Sequence, residues 1–223
     1  MKPLIIILLG KSGSGKGTQA KLLVKKFGLY YIGSGDILRK RQKKKDFTGR
    51  KLEKIMNKGE FAPTVLIFKF WMDKMEKFKN NPKLKGFIMD GSPRKMIEAE
   101  LLDEAMKWYE WEPKVILLDI SRKEAFYRLS NRKICKKCGR IIPYLEKFRN
   151  LKQCDRCGGK LIIRLDDTPS AINTRLDLFR KEVQPVINHY KKQGKLVKIN
   201  GEGSIEETFQ KILRCLKKEI KHL

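Results

Sequence analysis

The chain of 223 residues is short of histidine, with 2, and of acidic side chains, with 25 against 52 basic ones. It also lacks any apolar run longer than the one from Leu4 to Leu9. Each shortage excludes something. A membrane-spanning helix needs about 20 consecutive apolar residues, and this run falls far short. It is short for the apolar region of a secretory leader too, and it leads into Gly10 and Lys11 rather than a small-residue cleavage site. The expectation is a soluble, cytoplasmic chain with no membrane partner. The two histidines, His189 and His222, stand outside every motif, which argues against a Ser-His-Asp hydrolase. No low-complexity segment and no repeat at a solenoid period occurs. With 41% hydrophobic and 9% aromatic residues the chain has enough apolar material for a core, so wholesale disorder is excluded.

The scarcity of acid leaves a formal net charge of +27 at pH 7. Such an excess attracts polyanions and steers anionic substrates. The alternative is a lysine-rich composition spread over solvated helix faces. The distribution favours the second reading, because lysines occur in nearly every segment and cluster only briefly, as from Arg39 to Lys45 and at Lys217, Lys218 and Lys221. No nucleic-acid partner is expected on this ground.

Strand-like and helix-like segments alternate, the pattern of an α/β fold around a parallel sheet. The expected strands are Leu4 to Leu9, Leu29 to Ile32, Gly86 to Asp90, Val115 to Ile120 and Leu196 to Asn200. Near the C-terminus Ile205, Phe209, Ile212, Leu213, Leu216 and Ile220 recur at helical spacing, with Ser204 as the expected N-cap. A second stripe, Val65, Phe68, Met72 and Met75, reads as core, as do Trp71, Trp108 and Trp111. Two stretches interrupt the alternation. Gly33 to Ala62 is polar, lysine-rich and helix-like, and Arg132 to Asp167 carries cysteines and turn residues. Both read as insertions into a core formed by residues 1–32, 63–131 and 168–223.

The segment Gly10-Lys11-Ser12-Gly13-Ser14-Gly15-Lys16-Gly17-Thr18 follows the first strand and opens a helix. It satisfies G-x-x-x-x-G-K, with Gly17 where the strict motif has Ser or Thr. Successive backbone N–H groups must turn inward around phosphate oxygens, which needs angles that a Cβ opposes. Lys16 then neutralises the β- and γ-phosphates, and the helix N-terminus adds its partial positive charge. The motif marks a nucleoside triphosphate site and leaves the acceptor open.

Five cysteines are present, and four form Cys135-Lys136-Lys137-Cys138 and Cys154-Asp155-Arg156-Cys157, fifteen residues apart. That spacing matches a four-thiolate zinc pattern. Two tight turns, each followed by glycine, close a tetrahedron around Zn²⁺ with no open position, so the metal is structural. Lys136, Lys137, Arg140 and Arg156 offset its negative charge. The alternatives are a redox pair, an iron–sulfur centre and a nucleic-acid-binding ribbon. Cys215, alone, reads as a buried core thiol.

Taken in order, Gly13-Ser14-Gly15-Lys16-Gly17-Thr18-Gln19-Ala20, Ser34-Gly35-Asp36-Ile37-Leu38-Arg39 and Asp90-Gly91-Ser92-Pro93-Arg94 resemble the adenylate kinase family. The resemblance covers essentially the whole chain. It implies a three-layer P-loop fold with a five-stranded parallel sheet, an acceptor-binding insertion at 33–62 and a lid at 132–167. It implies reversible transfer of the γ-phosphoryl of ATP to AMP, giving two ADP, by a monomer with Mg²⁺ on the donor. Some lids of the family carry a zinc site where the cysteines stand, which selects zinc among the alternatives.

By the same resemblance Gly13, Ser14, Gly15, Lys16, Gly17 and Thr18 cradle the donor phosphates. Arg132, Ile141, Ile142 and Gly203 complete the ATP site. Ser34, Arg39, Glu60, Phe61, Ala62, Gly91, Ser92, Pro93, Arg94 and Glu98 contact the acceptor, together with Arg164 and Arg175. Arg128, Arg132, Arg164 and Arg175 surround the transferring phosphoryl, Asp90 holds Mg²⁺ through water, and Asp166 and Asp167 close the lid on the ATP side. Arginines suit the task because phosphoryl transfer asks for alignment and charge stabilisation rather than a strong base.

Three positions depart from the family. Ser92 replaces a usual Phe, Lys95 a common Thr, and Glu98 the Gln that reads adenine. An ionised Glu only accepts hydrogen bonds, from an exocyclic amine of adenine or cytosine or from the guanine edge, so CMP, UMP or GMP stays open as the acceptor. A nucleic-acid-binding NTPase with a zinc ribbon is the remote alternative. It accounts for the charge but not for Ser34, Arg39 or the segment from Asp90 to Arg94.

Overall fold

The computed structural model describes residues 2–145 and 148–220, so Lys221 and His222 lie outside the described residues. The first strand, β1 (Leu4–Leu9), is apolar and buried throughout, as a central strand covered on both faces must be. It leads through the glycine loop into α1 (Lys16–Phe27), followed by β2 (Tyr30–Gly33), α2 (Ser34–Gln42), α3 (Phe47–Asn57), α4 (Thr64–Lys79) and β3 (Gly86–Asp90). Next come α5 (Met96–Trp108), β4 (Pro113–Asp119), α6 (Arg122–Ser130) and the short strands β5 (Lys133–Cys135), β6 (Ile141–Ile142) and β7 (Leu161–Ile163). The chain ends with α7 (Pro169–Leu178), a π-helical turn at Phe179–Val183, α8 (Gln184–Lys192), β8 (Leu196–Asn200) and α9 (Ile205–Cys215).

The main sheet has five parallel strands in the order β2-β3-β1-β4-β8. Strand β1 shows how it separates two cores. Ile5, Ile7 and Leu9 face the larger one, packed by α4, α5 and α8, while Leu4, Ile6 and Leu8 face the other, packed by α1 and α9. Strands β6, β5 and β7 form a separate antiparallel sheet that supports the cysteines. Among the described residues no helix is long and apolar enough to cross a membrane.

Of the C-terminal stripe Phe209, Ile212 and Leu216 are buried while Ile205, Leu213 and Ile220 are half-buried, and its Ser204 cap is a full capping box: the hydroxyl accepts from the Glu207 N–H while the Glu207 carboxylate accepts from the Ser204 N–H. Other expectations are corrected. On α4 the buried face is Ile67, Trp71, Met75 and Phe78, and Val65 is 74% exposed because it occupies the first turn, ahead of the packed face. Trp71 and Trp111 are buried, but Trp108, at the end of α5, is 76% exposed. Cys215 is half-buried against the second core rather than fully enclosed, with burial pushing its thiol up to about 11. Gly33 closes β2, and residues 34–62 hold two helices. Strands two and four run over Tyr30–Gly33 and Pro113–Asp119, a shift set by parallel pairing with β3 and β1.

Candidate active site

The loop after β1, the carboxyl end of β3 and the loop after β8 open onto a cleft of about 710 Å³, the edge at which open α/β sheets bind ligands. The glycine loop, α2, the end of α3, the β3 end, the cysteine-bearing segment and the start of α9 all line it. Gly13 and Gly15 have φ of +86° and +91°, angles that a side chain opposes, and this lets the loop's N–H groups face inward. Lys16 Nζ donates to the carbonyls of Gly10 at 2.7 Å and Lys11 at 2.8 Å, fixing its ammonium inside the loop. Burial lowers the Lys16 pKa to about 8, with Asp90 opposing the shift and Arg94, Arg132 and Lys11 adding to it. Lys11 is itself tied to the β4 end, Nζ donating to the Ile120 carbonyl at 2.7 Å and to Asp119 Oδ1 at 3.1 Å. Gly17 has a local reason: a Cβ there would stand 3.2 Å from Asp90 Oδ2. Asp90 in turn accepts from the Tyr31 hydroxyl at 2.9 Å, and burial followed by that carboxylate holds the phenol far above its ordinary pKa.

On the side of α2, Arg39 pairs with Asp36 at 2.6 Å. Arg94 donates from Nε to the Gly91 carbonyl at 2.6 Å and lies over the Phe61 ring at 4.9 Å. Phe61 and Pro93 face a small recess that shares Lys16, Gly91, Arg94 and Arg175 with the cleft. Ser34, Ala62, Ser92 and Glu98 are buried behind this wall. The Ser34 and Ser92 hydroxyls bond each other at 2.6 Å, joining the α2 N-terminus to the loop after β3. Glu98 Oε2 accepts from the Arg94 backbone N–H at 2.7 Å. Burial pushes its carboxyl above the usual range, and the Arg94 N–H and guanidinium pull against that. The carboxylate therefore shapes the Arg94 loop.

The remaining arginines divide. Arg132 and Arg175 both bind Asp167, Arg175 also reaches the Asp166 carbonyl at 2.7 Å, and Arg164 forks onto the Asp166 carboxylate. Asp167 lies beneath the cleft with its side chain fully buried. Arg128, expected in the same group, is set apart: it bonds Glu124 at 2.6 Å and the Gly201 carbonyl at 3.1 Å. Its Nη2 is buried without a hydrogen-bond partner among the described residues, on the wall formed by Gly201 and Gly203. Gly13 to Thr18, Glu60, Asp90, Gly91, Ile141, Asp166 and Gly203 all line the cleft, while Ile142 is buried behind it.

The four Sγ atoms of Cys135, Cys138, Cys154 and Cys157 lie within 4.8 Å of one another. Each pair sits on a tight turn closed by a glycine N–H, from Gly139 to the Cys135 carbonyl and from Gly158 to the Cys154 carbonyl, both at 2.9 Å. The Cys138 N–H points at Cys135 Sγ and lowers that thiol's pKa, while the thiol contact with Cys135 raises that of Cys157. Arg140 and Asp155 bridge the two turns at 2.8 Å. A donor set of four convergent sulfurs suits a tetrahedral soft-ligand metal.

Sequence reasoning missed Tyr31, Lys11 and Asp119. Their signal is the parallel register, which sets Gly33 beside Asp90 and brings β4 to the loop, and strand order is not written in the sequence.

The adenylate kinase family model matches residues 8–195. The adenylate kinase of Thermodesulfovibrio yellowstonii is 37% identical over 216 residues, covering 96% of this chain and 99% of the relative. That of Clostridium kluyveri is 37% identical over 215 residues, with 95% and 97% covered. That of Methanothrix thermoacetophila is 38% identical over 216 residues, with 96% and 98% covered. With the glycine loop, the paired arginines and aspartates and nearly full-length similarity all in agreement, the chain belongs to the adenylate kinase family of phosphotransferases.

Proposed function

We propose that the chain transfers the γ-phosphoryl of ATP reversibly to AMP, giving two ADP, and that the residues above do so in named roles. The observation that carries this reading is the convergence of Lys16, Arg94, Arg132, Arg164 and Arg175 with Asp90 on one cleft. The donor phosphates lie in the loop from Gly13 to Thr18, with Arg128, Ile141 and Gly203 toward its nucleoside and Ile142 supporting Ile141 from behind. The acceptor lies along Arg39, Glu60, Phe61 and Gly91 to Arg94, with Arg164 and Arg175 reaching its phosphate. Residues 33–62 act as the acceptor-binding insertion and 132–167 as the lid of the core formed by the rest.

Little covalent work falls to the protein, since the transition state spreads charge over the equatorial oxygens. Lys16 and the arginines meet that charge. Asp166 and Asp167 hold the arginines in place beforehand, and phosphate oxygens replace part of that pairing when the insertions close. Closure excludes water, which would otherwise receive the phosphoryl. Asp90, oriented by Tyr31, suits the water shell of Mg²⁺, which when bound neutralises the β- and γ-phosphate oxygens. The four cysteines suit structural Zn²⁺, a use of paired cysteines that fits a cytoplasmic setting. All these residues come from one chain, so a monomer suffices, and the scattered lysines give no reason to add a nucleic acid.

A coupled steady-state assay with MgATP against AMP, CMP, UMP and GMP tests the reading. AMP is expected to lead in kcat/KM by about tenfold or more, roughly 1.4 kcal/mol of discrimination. A lead by GMP would assign Glu98 to the guanine edge, and absence of turnover with every monophosphate would end the kinase reading.

A further inference from the structure

Among the arginines that line the cleft, Arg156 alone has no hydrogen bond or ion pair among the described residues. Every other one holds a carboxylate or carbonyl described above. Arg156 sits on the second cysteine turn, whose backbone is fixed by hydrogen bonds from Gly158 to Cys154 and from Cys154 to Gly159, both at 2.9 Å. Its neighbour Asp155 is taken by Arg140 of the first turn, so the adjacent carboxylate does not serve as its counter-ion. On the other wall of the cleft α1 contributes Lys21, another exposed cation. Lys136 and Lys137, on the first turn, lie outside the cleft. The arrangement presents a guanidinium with five unused donors to a space built for a polyanion, on a loop that pays little ordering entropy.

We propose that Arg156 is a further donor-nucleotide contact, hydrogen bonding an oxygen of the ATP triphosphate when the cysteine-bearing segment closes. This rests on the reading that the donor binds between the glycine loop and that segment. The competing role is local: a cation beside four sulfurs lowers the net charge of a thiolate–metal site. The two roles separate experimentally, because one acts on the donor and the other on the metal.

The experiment measures Kd for MgATP by calorimetry, and KM for MgATP and AMP by steady-state kinetics, on the full chain and on Arg156→Gln, Arg156→Lys and Lys137→Gln. Arg156→Gln is expected to weaken MgATP binding about tenfold, the size of one hydrogen bond to a charged group. The KM for AMP and the melting temperature stay at their starting values. Arg156→Lys keeps the charge and falls between, and Lys137→Gln, which removes the same charge outside the cleft, leaves MgATP affinity intact. Unchanged MgATP affinity in Arg156→Gln, or a loss of bound metal with affinity for MgATP retained, overturns the proposal. If the unsubstituted chain neither binds MgATP nor phosphorylates AMP, the underlying kinase reading fails instead.

Discussion

Arg132 and Asp167 meet in a two-pronged ion pair across the base of the cysteine-bearing segment, Nε to Oδ2 at 2.8 Å and Nη2 to Oδ1 at 2.7 Å. Arg175 shares the same carboxylate at 2.7 Å, and Arg164 approaches it at 4.0 Å. One buried anion thus holds three cations. Asp167→Asn keeps the shape and removes the charge, leaving the guanidiniums to repel one another. The expected loss is about 3–5 kcal/mol of stability, the scale of a broken buried pair. Thermal melting reads it, and sulfate or MgATP should restore much of the loss by supplying an anion to the same arginines. A melting temperature within about 2 °C of the starting protein would contradict the assignment.

Lys16, lowered to about 8, must be charged to serve the phosphates. As pH rises through that value the free enzyme loses the ammonium, so kcat/KM for MgATP falls on the alkaline side. Bound phosphates favour the charged form, so the fall in kcat lies at higher pH. Stability runs the other way. Between about 8 and 10.5 the unfolded lysine holds a proton that the folded one has released, so this group's contribution to stability rises with pH over that window. Lys16→Met should cost several orders of magnitude in kcat, and a mild loss would place the charge elsewhere.

Much of this was legible in the sequence, for reasons that particular residues show. The run from Leu4 to Leu9 admits only a strand buried on both faces, and the glycine loop demands a phosphate-sized turn after it. The cysteine spacing and the glycines behind each pair anticipate the four converging sulfurs. What escaped depends on which strands become neighbours. Tyr31 reaches Asp90 only because β2 pairs with β3, and Lys11 reaches Asp119 only because β4 flanks β1. Exposure at element ends escaped as well. Val65 and Trp108 fit apolar patterns but stand in a first turn and at a last residue, where the partner surface has run out.

Glu98 is a buried carboxylate whose ionisation burial opposes. Its folded pKa is raised, so between the unfolded value of 4.5 and the folded one the native state holds the extra proton, and stability falls as pH climbs through that window. Glu98→Gln removes the charge while its amide oxygen still accepts from the Arg94 N–H. Its melting temperature at pH 7 should therefore rise, and the gain should shrink at pH 4. For the acceptor, Gln adds a donor to the position, so the ratio of kcat/KM for AMP over GMP should increase. An unchanged ratio would remove Glu98 from base selection and leave it as the support of the Arg94 loop.

The cysteine-bearing segment depends on its proposed zinc more than any other part of the molecule depends on one interaction. Its strands β5, β6 and β7 hold three, two and three residues, and its buried hydrophobic side chains are few, chiefly Ile142, Cys135 and Cys154. Such a segment cannot supply its own ordering entropy from apolar burial. Metal binding at comparable four-ligand sites contributes an apparent ~10–16 kcal/mol, enough to order it. Removing the metal should therefore melt residues 133–163 and leave the five-stranded core folded. Hydrogen exchange would show it as loss of protection confined to the β5, β6 and β7 amides. Activity should fall with it by about tenfold or more, because Arg132 and the Arg164–Asp167 stretch flank the segment and lose their fixed spacing when it melts. Zinc added back should restore both. A chelated chain that kept its β5–β7 protection and its turnover would show that the strands and the Arg140–Asp155 bridge hold the segment without a metal.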